Sequence, residues 1–241
     1  MSIRWICLAV LLVPSANAQS PTDVTLTLAS KDGRTQFRQG EAIELQLQFQ
    51  ASVPGKYAVW PRYAYRSTRN AEYDRFTIEP AAGAVDPLAD CSAQFAAEAY
   101  SGPPPAPTPI EGTEVSVPLF LNEWYSFRKP GHYRVTADTT RLVTVAQPQT
   151  RLPMRSGVFE LEVTPPDPAW AEAQLKQAAA VLDIPDPPPG RVGQPSPMSP
   201  QEMRVAYEAA EGAARTVRFL ETPEAARALV RYTRSGSCAP G

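Results

Sequence analysis

The chain has 241 residues, of which 43% are hydrophobic and 20% charged, with a formal net charge of −2. That balance excludes a general electrostatic pull on nucleic acid or on an anionic membrane surface. A single histidine, His132, excludes a multi-histidine metal site.

The first residues, MSIRWICLAVLLVPSANAQS, place Arg4 before an apolar run from Ile6 to Val13. Ala16-Asn17-Ala18 then supplies the small-x-small pattern of a signal-peptide cut. The run is short of the roughly 20 apolar residues that a membrane span needs. The expectation is a leader at 1–18, removal after Ala18, and a secreted or periplasmic protein that does not insert in a membrane. Without Arg4, the 23 basic residues become 22 against 25 acidic ones, a net charge of −3. Of 3 cysteines, Cys7 leaves with the leader. Cys91 and Cys238 remain as one candidate disulfide in an oxidising compartment, with two separate thiols as the alternative.

From residue 19 to 165 the pattern is that of strands. Val24, Leu26 and Leu28 alternate with threonines, and Ile43, Leu45, Leu47 and Phe49 alternate with Glu44, Gln46 and Gln48. Phe76 and Ile78, then Tyr133, Val135 and Ala137, then Phe159, Leu161 and Val163 repeat the period of two. Such strands have one apolar and one wet face, and Lys31-Asp32-Gly33, Arg38-Gln39-Gly40 and Pro130-Gly131 read as turns between them. About seven short strands over this length argue for a mainly β fold, a two-sheet antiparallel sandwich. The stretch from Glu79 to Glu114 reads as one long irregular loop, with DPLADCSAQFAAEAY as a short helix inside it.

Residues 166–235 change period. Asp167-Pro168, Ser199-Pro200 and Thr222-Pro223 each put a cap residue before a proline at the first helical position. Ser199 and Glu202 are spaced as a capping box, with Met198 and Met203 at the staple positions. The spacing predicts helices at about 168–182, 200–220 and 223–234. Tyr207, Ala210, Ala214 and Val217 fall on one face of the second, and Ala225, Leu229 and Tyr232 on one face of the third. The 27 prolines cluster between these parts, notably in IPDPPPGRVGQPSP, which is expected to let the first helix stand apart. Residues 236–241 read as a flexible tail.

Two stretches resemble known families. FRQGEAIELQLQFQ (Phe37 to Gln50) and FRKPGHYRVTA (Phe127 to Ala137) resemble strands of immunoglobulin-like domains in exported bacterial proteins. That likeness implies an immunoglobulin-like sandwich and says little about activity. AARTVRFLETPEAARALVRY (Ala213 to Tyr232) is similar to one helix pair of a HEAT-like repeat. It implies either the front of a longer repeat array or a pair seated on the sandwich; an ordinary helical hairpin is the third reading.

For function, YAVWPRYAYRSTRNAEYDRF (Tyr57 to Phe76) interleaves Trp60, Tyr63, Tyr65 and Tyr73 with Arg62, Arg66, Arg69 and Arg75. Aromatics beside arginines suit stacking and acidic groups, so Trp60, Arg62, Tyr63, Tyr65 and Arg66 form a candidate ligand or partner patch. The competing reading makes them core residues of the middle strands. His132 is expected on the outer face of its strand, opposite Tyr133, and Trp124, Phe127 and Tyr133 in the core. The acids Glu72 with Asp74 and Asp86 with Asp90 read as solvated loop carboxylates rather than a hydrolytic pair. No cofactor motif and no nucleophile elbow is present. The sequence reading is therefore a non-catalytic protein-interaction or scaffolding module. A carbohydrate-binding module using Trp60, Tyr63 and Tyr65 is the first alternative, and a secreted hydrolase the second.

Overall fold

The computed structural model describes residues 20–61, 72–89, 106–183 and 199–235. The fold is mainly β, an antiparallel sandwich followed by a helical segment. One layer holds β1 (Val24–Ser30), β3 (Glu44–Ala51) and β8 (Val115–Phe120) in the order β1-β3-β8. The other is ordered β2 (Gln36–Arg38), β12 (Phe159–Thr164), β10 (Gly131–Thr144), β4 (Tyr57–Val59), β7 (Thr108–Pro109). β5 (Asp74–Glu79) and β11 (Gln147–Arg155) also pair with β10. The two-residue strands β6 (Ala84–Val85) and β9 (Ser126–Phe127) form a small ladder of their own.

The period-two residues build the core as their spacing requires. Leu26, Leu45, Leu47, Phe49, Val117 and Leu119 from one layer meet Phe76, Ile78, Tyr133, Val135, Phe159 and Leu161 from the other. Trp124 stands edge-on to Phe76 at 4.8 Å, and Phe127 to Tyr133 at 5.0 Å, as aromatic quadrupoles prefer. His132 is exposed, and Tyr133 and Val135 are buried, as the alternation predicts. The region from Glu79 to Glu114 is not wholly irregular, since it contributes β6 and β7. β11 escapes the alternation because it carries Pro148 and Pro153 and is exposed along most of its length.

The helices are α1 (Pro168–Leu182), α2 (Pro200–Phe219) and α3 (Pro223–Ser235). Asp167 caps α1 by accepting from the Trp170 amide at 3.0 Å. Ser199 and Glu202 complete the capping box of α2, the Glu202 amide donating to Ser199 Oγ at 3.2 Å and the Ser199 amide to Glu202 Oε2 at 2.7 Å. That contact holds the Glu202 carboxyl below its ordinary range.

Two expectations about the helices are corrected. α1 does not stand apart; Ala178 joins Ala213, Val217, Leu220, Ala225 and Ala228 in one small core, with Leu175 and Leu182 against it. Apolar side chains on α1 outweigh the freedom of the long connection. Tyr207 is not covered with Val217: it is 61% exposed, with Met203, one turn earlier on the same face, at 39%. The apolar stripe of α2 continues beyond the stretch that its neighbours cover. Among the described residues no helix is long and apolar enough to cross a membrane.

The helical core rests on the sandwich. Phe219 lies 6.4 Å from Phe120 of β8, and the Arg215 guanidinium lies 4.0 Å from the centre of the same Phe120 ring. Arg218 reaches the buried Glu123 at 3.7 Å, and Arg128 reaches Glu221 at 3.2 Å. At Gly40, with φ of +86°, a side chain would stand 3.1 Å from the Leu220 carbonyl oxygen. Glycine there serves both the turn and the close approach of the helix end.

Candidate functional site

The aromatic and arginine-rich stretch begins on β4, where Tyr57, Ala58 and Val59 are all buried. The chain is described to Pro61 and again from Glu72, so Arg62, Tyr63, Tyr65, Arg66 and Arg69 lie outside the described residues. Trp60 and Pro61 on one side and Asp74 on the other are held by one side chain, Arg141 of β10. Its Nη1 donates to the Trp60 carbonyl at 3.0 Å and to the Pro61 carbonyl at 2.9 Å. Its Nε donates to Asp74 Oδ1 at 2.9 Å, and its Nη2 to Asp74 Oδ2 at 2.6 Å.

Arg141 and Asp74 are each 1% exposed, so this is a buried fork-to-fork ion pair. Thr139 Oγ1 donates to Asp74 Oδ1 at 2.7 Å and fills a further lone pair. The backbone closes the same junction: the Trp60 amide donates to the Arg141 carbonyl at 2.9 Å, and the Thr140 amide to the Tyr73 carbonyl at 2.8 Å. Burying a charge is costly unless it is paired and its remaining polar atoms are satisfied. Here the compensation ties Trp60 and Pro61 at the end of β4 to Asp74 at the start of β5.

Sequence reasoning misplaced Asp74, which is not a solvated loop acid but the acceptor at the centre of this junction. It also passed over Arg141. The signal was available: Tyr133, Val135, Ala137, Thr139 and Arg141 share the inward phase of β10, and an inward arginine requires a partner. Tyr73 is buried rather than part of a surface patch, with Arg151 4.3 Å and Arg141 5.0 Å from its ring centre. Trp60 is half-buried, and its indole Nε1 is buried with no hydrogen-bond partner among the described residues. Arg75 is exposed on β5.

Beside the junction lies a groove of about 340 Å³ lined by Glu72, Tyr73, Arg75, Asp138, Met154 and Arg155 among others. Arg155 and Asp138 face one another across its rim at 3.7 Å. The Ser20 hydroxyl, at the first described residue, donates to the Pro153 carbonyl at 2.8 Å on the same rim. Its two cations and two carboxylates suit a polar surface of mixed charge rather than a single strong anion or cation.

Among the described residues no three of His, Cys, Asp and Glu come together as a metal ion would need. Cys91 and Cys238, the candidate disulfide, lie outside the described residues, as do Asp90 and most of DPLADCSAQFAAEAY. No family model matches the chain. A search of the curated proteins finds no significant match either.

Proposed function

We propose that the protein is an exported, non-catalytic interaction or scaffolding module, whose immunoglobulin-like sandwich presents Trp60, Arg62, Tyr63, Tyr65 and Arg66 to another protein. The observation that carries this reading is Arg141. One buried guanidinium holds both flanks of a segment rich in tyrosine and arginine, the residue types favoured at protein contacts. Rigid sheets with anchored connections are the usual platform for recognition. The leader-like residues 1–18 support export.

The immunoglobulin-like reading gains support from the corner that enters β10. The Tyr133 hydroxyl donates to the Lys129 carbonyl four residues upstream at 2.7 Å, in the manner of the tyrosine corner of sandwich domains. Of the readings of the helix pair, the contacts of Leu220, Phe219 and Arg218 favour a pair seated on the sandwich.

The test is cross-linking in the native compartment, with the captured partner purified and its affinity for the chain measured. An Arg62→Glu/Arg66→Glu double variant with unchanged circular dichroism should lose at least tenfold in affinity for that partner, and added salt should weaken the wild-type complex. Glycan binding that disappears in Trp60→Ala, or turnover in a hydrolase panel, would overturn the reading.

A further inference from the structure

Among the described residues, five other edge strands in the sandwich each carry a guard against pairing with a foreign strand. β2 and β7 are very short, β8 contains Pro118, β11 contains Pro148 and Pro153, and β5 carries Arg75 and Glu79. β1 carries none. It is seven residues long, VTLTLAS, in unbroken register with β3 from Val24↔Ala51 to Ser30↔Leu45, and has neither proline, charge nor bulge. Among the described residues it has no strand on its other side. Thr25 and Thr27 are exposed.

The ladder fixes which backbone groups face outward. The Lys31 amide donates to the Glu44 carbonyl at 3.1 Å, and the Ser52 amide to the Asp23 carbonyl at 2.9 Å. Odd-numbered residues of β1 therefore spend their hydrogen bonds on β3. The amides and carbonyls of Val24, Leu26, Leu28 and Ser30 point to the open edge.

We propose that the open edge of β1 pairs with β1 of a second copy of this chain, antiparallel about a two-fold axis at Thr27. That register places Val24 opposite Ser30 and Leu26 opposite Leu28 of the second copy, all residues with outward backbone groups, for about eight new backbone bonds. Their side chains stay on the inner face, so the three-stranded layer becomes one layer of twice the width. Thr27 meets itself, and Thr25 meets Ala29. The same register brings Asp23 of one copy to Lys31 of the other. Asp23 already holds Lys56 at 2.6 Å, and Lys31 already holds Glu44 at 3.0 Å. Pairing would link them into an alternating row of four charges at each end. Two parallel β1 strands in register would instead set Asp23 against Asp23, a repulsive arrangement. The occupant is thus chosen by register and charge together.

The edge belongs to the opposite layer from Arg141, so self-pairing and capture of a different protein at residues 60–66 are separable. A single strand edge is a small interface, so dissociation constants on the order of 10–1,000 μM are expected. Sedimentation of the purified chain across that range should show a monomer–dimer equilibrium. Thr27→Lys, an exposed substitution that opposes like charges on the axis, should weaken it at least tenfold and leave the melting temperature unchanged.

Mild oxidation supplies the register test, read by mass mapping of the cross-linked peptides. Thr27→Cys should link to its own counterpart, because non-hydrogen-bonded pairs in antiparallel sheets bring Cα atoms within disulfide reach. Thr25→Cys should not link to itself, but should link to Ala29→Cys when the two variants are mixed. A chain that stays monomeric to about 1 mM overturns the proposal. So does a dimer indifferent to Thr27→Lys, or equal self-linking of Thr25→Cys and Thr27→Cys. Uptake of a free VTLTLAS peptide by a strictly monomeric chain would also overturn it, and would assign the edge to a foreign strand.

Discussion

Replacing Arg141 by methionine keeps most of the side-chain volume and removes the charge and every donor. Asp74 would then be left 1% exposed with, among the described residues, only the Thr139 Oγ1 side chain to compensate it, and the Trp60 and Pro61 carbonyls would lose their shared donor. Removing one partner of a buried ion pair costs about 3–5 kcal/mol. Against a typical total of about 5–15 kcal/mol, that is a large fraction of the stability of the sandwich. Urea unfolding followed by tryptophan fluorescence measures it, with Trp60 reporting from the junction itself. The double variant Asp74→Leu/Arg141→Met removes both charges and should be less damaged than Arg141→Met alone. Its remaining loss, about 1–3 kcal/mol, comes from the carbonyls left without a donor. A loss under about 1 kcal/mol for Arg141→Met, or strict additivity in the double-variant cycle, would refute the argument that the pair is mutually compensating.

Tyr133→Phe removes the bond to the Lys129 carbonyl and should cost about 1 kcal/mol at neutral pH. Burial raises the Tyr133 pKa, so its contribution is complete below the ordinary tyrosine value of about 10 and is lost as pH rises through the folded value. Denaturation from pH 8 upward should therefore show wild type losing its advantage over the phenylalanine variant above about pH 10. Ser199→Ala should destabilise α2 by about 1 kcal/mol, visible as faster amide exchange in its first turn. Glu202 titrates below its ordinary range, so its share of the cap is present above the unfolded pKa and is lost as pH falls through the folded one. Phe120→Ala takes away the ring that meets Phe219 and Arg215, at a cost of about 1–3 kcal/mol. Limited proteolysis should then cut between Thr164 and Asp167 faster than in wild type; an unchanged rate would show that the helical core is held by other contacts.

The apolar framework was legible because period-two alternation is a local signal. Leu45, Leu47 and Phe49 announce an inward face without any knowledge of their partners, and so do Phe159, Leu161 and Val163. The caps of α1 and α2 were legible for the same reason, since each lies within three residues of what it caps. The junction was not, because its two halves are 67 positions apart and Asp74 looks like any loop acid until Arg141 is brought to it. The phase of Arg141 was readable, but a bulge between Thr139 and Leu142 breaks the alternation and hid the meaning of an inward arginine next to Leu142 and Val143. The exposure of Tyr207 was hidden by a different fact. Spacing reports which residues share a helix face, but not how far a neighbouring helix extends along it.

β10 has a consequence in time as well as in space. Its 14 residues pair with β12 and β5 along one half and with β11 and β4 along the other. In chain order β2, β4 and β5 are all complete before β10 begins; among the described residues β5 pairs only with β10, β4 with β10 and β7, and β2 with the still later β12. During synthesis or threading from the N-terminus, β5 therefore waits for residue 131 and its successors, and β2 waits for β12. Pairings across such long separations form slowly. For a protein exported as proposed above, the layer that holds Arg141 is thus the last to be assembled, after the β1-β3-β8 layer already has all its strands.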